Sequence, residues 1–153
     1  MAAQLQALEG WAGALLERLS ATQRRQLALQ IARELRQRNQ RRMRAQTGPD
    51  GAAWQPRKSA GPRRRRKNAK SGPMMRGLAA AQWLRASATP ASAEVSFAGR
   101  AQRIAQIHHY GERAAVNWPR GPMFDYPARA LLGLADEDLE RLRELVLDRV
   151  AGR

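Results

Sequence analysis

The stretch from Pro56 to Arg76, PRKSAGPRRRRKNAKSGPMMR, sets the tightest limit on how this chain can fold. It carries nine Lys or Arg residues and no acid. Pro56, Gly61, Pro62, Gly72 and Pro73 interrupt helix and strand alike. Between Arg63 and Lys70 no apolar side chain larger than Ala69 is present to drive burial. A flexible cationic loop is therefore expected over 56–76, held by Trp54 on one side and by Met74, Met75 and Leu78 on the other. The rest of the chain has to pack around its base, as a helical part over 1–48 and a mixed α/β part over 77–153. Its 153 residues fit one domain with a real core.

The same imbalance runs through the whole chain, whose 28 basic and 13 acidic residues give a net charge of +15. Such an excess repels itself in the compact state, and a polyanion or an acidic protein face would relieve it. Arg57, Lys58, Arg63, Arg64, Arg65, Arg66, Lys67 and Lys70 are the candidate contacts for such a partner. Cysteine is absent, which excludes disulfides, thiol catalysis and Cys-ligated metal, and fits a reducing cytosol. The opening MAAQLQALEGW places no positive charge ahead of an apolar run, so no secretory signal is expected. No window approaches the ~18 continuous apolar residues of a membrane span, and no membrane contact is expected.

Leu5, Leu8, Ala12, Leu15, Leu16 and Leu19 recur at helical spacing over 3–19, although Gly10 and Gly13 weaken the middle. Ser20 with Gln23 is a capping-box signature for a second, long helix, striped by Leu27, Ile31 and Leu35. Arg24, Arg25, Arg33, Arg36, Arg38, Arg41, Arg42 and Arg44 cover much of its remaining circumference, opposed only by Glu34. Arginines spread that widely define no single docking face, so they read as a solvated basic surface. Gly48-Pro49 is expected to end the helix. Trp54 serves either as a stacking platform for a base or as a core anchor. The anchor is preferred, because isolated Trp residues usually bury.

Periodicity over 78–87 fits a helix end or a strand. Ala93, Val95 and Phe97 alternate with polar or small neighbours, and a hairpin pairing Trp83–Ser87 with Ala93–Phe97 is the reading adopted. A short helix over 101–110 should stop at Gly111. Asn117–Pro127, NWPRGPMFDYP, reads as a loop bearing exposed Trp118, Phe124 and Tyr126, and Ala128–Leu134 as a short apolar strand. The last helix has Asp136, Glu137 and Asp138 at its positive end and an apolar stripe of Leu139, Leu142, Leu145, Val146 and Val150. Asp136, Glu137, Asp138, Glu140, Glu144 and Asp148 make it the acidic element of a basic chain, and a face that another subunit's basic surface would complement. The fold class expected is α+β, with a small antiparallel sheet.

No catalytic set emerges. The chain has no phosphate-cradling glycine motif and no supported Ser/His/Asp grouping. The adjacent His108 and His109 point in different directions on a helix, and no third His or Cys completes a ligand set. One is expected to pack and the other to be solvated. No metal or other cofactor is expected, and an unrecognised hydrolase is the weakest of the readings.

The order of segments nonetheless resembles a known family. An Arg-rich helix leads into PDGAAWQPRK (Pro49–Lys58), a basic insert and MMRGL (Met74–Leu78). VSFAG (Val95–Gly99), RIAQIHHYG (Arg103–Gly111), YPARALLGL (Tyr126–Leu134) and DEDLERLRELVLD (Asp136–Asp148) follow. From about Leu15 onward this series is similar to the phage virion morphogenesis, or tail completion, family of Mu-like and related contractile-tailed phages. The individual motifs are unspecific, and their order and spacing carry the likeness. Members often have Ser or Thr where this chain has Ala135, so Asp136 is expected to cap the last helix instead. The resemblance implies a structural protein of the virion, assembled in the host cytoplasm and placed at the head-proximal tail end. There it would complete tube and sheath as a homohexameric ring and ready the tail for head-completion or connector proteins. The rival is a nucleic-acid-binding module gripping phosphates through the loop and the Arg-rich helix. The two are compatible, because a ring at the tail end surrounds the path of the genome. A phage and a headless tail-like bacteriocin both fit.

Overall fold

The computed structural model describes residues 2–57, 72–117 and 119–152. Eight elements follow in order: α1 (Ala2–Leu16), α2 (Ala21–Ala45), β1 (Leu84–Ala88), β2 (Ala93–Phe97), α3 (Arg100–Tyr110), β3 (Arg113–Asn117), β4 (Arg120–Asp125) and α4 (Asp136–Val150). The class is α+β, and the strands form two separate antiparallel hairpins, β1–β2 and β3–β4.

Two apolar clusters organise these elements. In one, α1, α2 and α4 bring together Ala12, Leu27, Leu142, Leu145 and Val146, flanked by Leu8, Leu15, Leu16, Leu19, Ile31, Leu35 and Val150. These are the stripes that the helical spacing marked, and α1 runs through Gly10 and Gly13 without a break. In the other, Met43 at the end of α2 meets Trp54, Met74, Leu78, Leu84, Ala101, Ala105 and Leu131. Trp54 is thus a core anchor, and the two flanks of the basic stretch converge on one cluster.

Local signals place the helix starts. The Ser20 Oγ accepts the Gln23 N–H at 3.2 Å, and the Gln23 carboxamide accepts the Ser20 N–H at 2.8 Å, so both arms of the capping box are made. The C-terminus of α2 differs from expectation. Gln46, not Gly48, takes the left-handed conformation, with φ 61°. The β1–β2 register pairs Leu84 with Phe97 and Ala88 with Ala93, one residue from the expected hairpin. Gly111 stops α3 with φ 74°, and a Cβ there would meet the Ala128 nitrogen at 2.7 Å, so glycine is required for both conformation and space.

Two expectations fail downstream. Residues within the Pro/Gly-rich 117–127 segment form part of the β3–β4 hairpin rather than a loop. Pro122 is tolerated because a two-stranded hairpin leaves every strand an edge. Phe124 and Tyr126 are half-buried, while Trp118 lies outside the described residues. Conversely, 128–134 contains no strand. It bends at Leu132 and has no strand partner among the described residues, and alternate amides bond elsewhere. The N–H groups of Arg129, Leu131, Gly133 and Ala135 reach the His108 carbonyl (2.7 Å), His109 Nδ1 (3.1 Å), Asn39 Oδ1 (3.1 Å) and Asp138 Oδ2 (2.8 Å). One helix carbonyl and three side chains stand in for a ladder, which is why an apolar, strand-like sequence pairs with no strand.

Candidate functional site: the root of the basic loop and the last helix

Of the eight basic residues expected to meet a polyanion or acidic partner, Arg57 alone falls within the described residues, where it is exposed. Lys58, Arg63, Arg64, Arg65, Arg66, Lys67 and Lys70 lie outside them. The root of their stretch is well defined, and Gln46 clasps both of its sides. Its carbonyl accepts the Trp54 N–H at 2.7 Å. Its side chain accepts the Met74 N–H at 2.8 Å and donates to the Met74 carbonyl at 2.9 Å. The left-handed turn at Gln46 aims backbone and side chain at opposite strands of the root, and the nearby apolar cluster dries these bonds.

Beside the root lies a cleft of about 610 Å³. Gln55, Pro56 and Arg57 line one side and Met74 and Met75 another, while Phe124, Tyr126, His108 and Arg129 complete it. Arg129 is 5% exposed. Its Nε and Nη2 donate to the Gln55 carbonyl at 3.0 and 2.9 Å, and Nη1 lies 3.5 Å from the Pro127 carbonyl. Among the described residues no carboxylate pairs with it. Burial, and then the nearby charge of Arg57, pull its guanidinium below the ordinary arginine value.

Both histidines are half-buried, so neither is the solvated residue expected. His108 stacks edge-on against Tyr126 at 4.9 Å, and its buried Nδ1 has no partner among the described residues. Burial, followed by the charge of Arg129, lowers its pKa, and burial lowers that of His109. Among the described residues no three His, Asp or Glu side chains converge as metal ligands do.

The last helix holds a second polar centre. Asp138, grouped by sequence with the acids available to another subunit, is 0% exposed and engaged within the chain. Its carboxylate accepts Arg42 Nη1 at 2.8 Å, Arg38 Nη1 at 3.3 Å and the Ala135 N–H at 2.8 Å. Asp138 therefore supplies the cap that Asp136 was expected to provide, and Ala135 occupies the cap position with no side-chain acceptor of its own. Arg42 also donates to the Gly133 carbonyl at 3.0 Å and to Asn39 at 3.2 Å. Part of the presumed solvated arginine surface of α2 is thus an internal lock onto α4. Asp136, Glu137, Glu140, Glu144 and Asp148 are exposed. Glu140 and Glu144 pair with Arg143 and Arg141 on their own helix.

Sequence reasoning missed Gln46, Asn39 and Arg129. Gln46 gave no signal, since nothing in its neighbourhood demands a left-handed residue. Arg129 offered a faint one, as an isolated cation inside the apolar run YPARALLGL.

The model of the phage virion morphogenesis family matches residues 3–151. Tail completion protein S of Escherichia phage P2 is 37% identical over 134 residues, covering 87% of this chain and 88% of that protein. No solved structure matches. With nearly its whole length matched, the chain belongs to the phage virion morphogenesis family.

Proposed function

We propose that this chain is a non-enzymatic structural component of a phage tail, acting at the head-proximal end to finish tube and sheath and to allow head–tail joining. The observation that carries the reading is the near end-to-end match to a protein named for tail completion. The protein would work as a homo-oligomeric ring, hexameric to match the tail, and would reside in the virion after assembly in the host cytoplasm. Its neighbours would be tail tube and sheath proteins below and head-completion or connector proteins above. The basic residues 57–70 would face an acidic neighbour or the passing genome.

For contacts between subunits, the surface of α4 narrows the choice. Glu140 and Glu144 already sit in ion pairs with Arg143 and Arg141, and a neighbour would have to displace these. Asp136 and Asp148 are exposed with no ion pair among the described residues, and the exposed Glu137 has only a long 3.9 Å contact with Arg38; these are the acids proposed to meet basic surface on the next subunit.

Deletion of the gene tests the reading. Free heads beside unjoined or irregularly ended tails are expected, and normal infectious particles would overturn it. Converting Arg63, Arg64, Arg65, Arg66 and Lys67 to Ser separates it from nucleic-acid binding as the main task. Complete tails should still form, with poorer joining at most. If DNA binding were the main task, the same change would abolish DNA affinity and its salt dependence, while the gene deletion would leave tail length normal.

A further inference from the structure

The cleft beside the loop root combines features that the tail-end reading does not use. Arg129 is almost wholly buried, holds its position through backbone carbonyls, and has no carboxylate partner among the described residues. Two carbonyl oxygens satisfy only part of a five-donor guanidinium. His108, on the same wall, keeps a buried Nδ1 without a partner. A buried cation held only by carbonyls, beside a buried imidazole nitrogen with no partner among the described residues, is uncommon, because each incurs a desolvation cost that a ligand would offset. Arg57 at the rim adds a second positive charge, and Met74, Met75, Phe124 and Tyr126 supply apolar walls. Asp125 also lines the cleft and lies 3.7 Å from Arg113.

The geometry points to a binding site for an acidic peptide segment of a partner protein, with one carboxylate seated on Arg129 and His108 and an adjacent apolar side chain against Phe124 and Tyr126. The carboxylate would take the open N–H groups of Arg129 as charge-assisted hydrogen bonds, and the Nδ1–H tautomer of His108 would donate to it as well. A peptide is favoured over nucleic acid by depth. The phosphates of a duplex lie on the surface of a stiff rod and cannot descend to a guanidinium that is 5% exposed, whereas a glutamate or aspartate side chain can. This inference holds whether or not the chain terminates a tail.

The test uses the full chain with Arg63, Arg64, Arg65, Arg66 and Lys67 each replaced by Ser, so that binding to these charges does not mask binding to the cleft. The probe is a fluorescein-labelled hexapeptide of alternating leucine and glutamate, followed by anisotropy. Saturable binding is expected. A leucine–glutamine hexapeptide should bind about tenfold or more weakly, the loss of a charge-assisted hydrogen bond; this comparison needs no substitution in the cleft. Arg129→Gln should weaken the acidic peptide similarly. Should that variant unfold, as circular dichroism would report, Phe124→Ala keeps the cation in place and should cost roughly threefold or more through the lost apolar wall. Equal affinity for the two peptides, or no binding, would overturn the inference. So would a random-sequence DNA duplex that displaces the acidic peptide and itself depends on Arg129, which would assign the cleft to phosphate.

Discussion

Replacing Asp138 with Ala tests the polar lock between α2 and α4. The carboxylate is fully buried and receives Arg42 at 2.8 Å, Arg38 at 3.3 Å and the Ala135 amide at 2.8 Å. Breaking a buried pair by deleting one partner commonly costs about 3–5 kcal/mol, because the other charge stays desolvated. Here the arginines are partly cushioned. Arg38 keeps Glu34 at 3.0 Å, and Arg42 keeps the Gly133 carbonyl at 3.0 Å. Their side chains are 21% and 13% exposed, so water can reach them. That argues for the low end, roughly 3 kcal/mol, within which the lost helix cap contributes about 1 kcal/mol. For a chain of this size the melting midpoint should drop by roughly 6–12 °C. Asp138→Asn can still accept the Ala135 amide and should lose less. Glu137→Ala is the control: Glu137 is 74% exposed and 3.9 Å from Arg38, so its loss should stay within about 0.5 kcal/mol. Urea and thermal unfolding followed by circular dichroism measure all three, and a cycle with Arg42→Ala should show strong coupling. An Asp138→Ala variant no less stable than Glu137→Ala would refute the lock.

Gln46→Ala keeps the left-handed backbone but removes the side-chain clasp on Met74, and should cost about 1–2 kcal/mol with faster tryptic cleavage in the basic stretch; unchanged urea midpoint and cleavage would contradict the clasp. The histidines set the pH response. Both have pKa values lowered by burial, for His108 also by Arg129, so the unfolded chain binds more protons. Stability should therefore be complete above the unfolded value of about 6.5 and decline as pH falls from there towards the folded values. Replacing both with Gln should flatten that decline, and a rise in stability on acidification would show the sign to be wrong. Amide hydrogen exchange should find the N–H groups of Arg129, Leu131, Gly133 and Ala135 slower than those of Ala130, Leu132 and Leu134 between them; uniform fast exchange across 129–135 would remove the side-chain ladder.

What could be read from sequence was local. The capping box at Ser20 and Gln23 depends on two residues three apart, and it formed as read. The stripes Leu27-Ile31-Leu35 and Leu139-Leu142-Leu145-Val146 announce their burial by spacing alone. Residues 93–97 alternate cleanly, so β2 and its partner were legible to within one residue. The misses share a long-range cause. Arg38 and Arg42 look like any other arginines on α2 until Asp138, 100 and 96 residues later, is folded against them. Residues 128–134 have the composition of a strand, but their amides bond the His108 carbonyl and the side chains of His109 and Asn39, on α3 and α2, which no local pattern reveals. The β3–β4 hairpin was hidden by Gly121 and Pro122, residues that argue against a central strand but not against an edge.

That segment also explains how the two polar centres are held in one frame. Tyr126–Ala135 carries no regular structure, yet Arg129 fixes the Gln55 carbonyl at the loop root, and Leu131 is buried in the cluster that holds Trp54 and Met74. Gly133 lies against Asn39 and Arg42, with no room for a Cβ beside Pro49, which would be met at 2.4 Å. Ala135 then hands the chain to Asp138. Arg129 and Leu131 are both buried, and Leu132 packs partly against the same cluster as Leu131. A shift of one residue would swap Leu131 for a neighbour and withdraw Arg129 from Gln55 together. Register along this segment is therefore held by its hydrogen-bond tethers at 129, 131, 133 and 135. The charged cleft and the α2–α4 lock are two readouts of that one register, so an Asp138 variant that loosens the lock should disturb the cleft more than its distance in sequence from Gln55 would suggest.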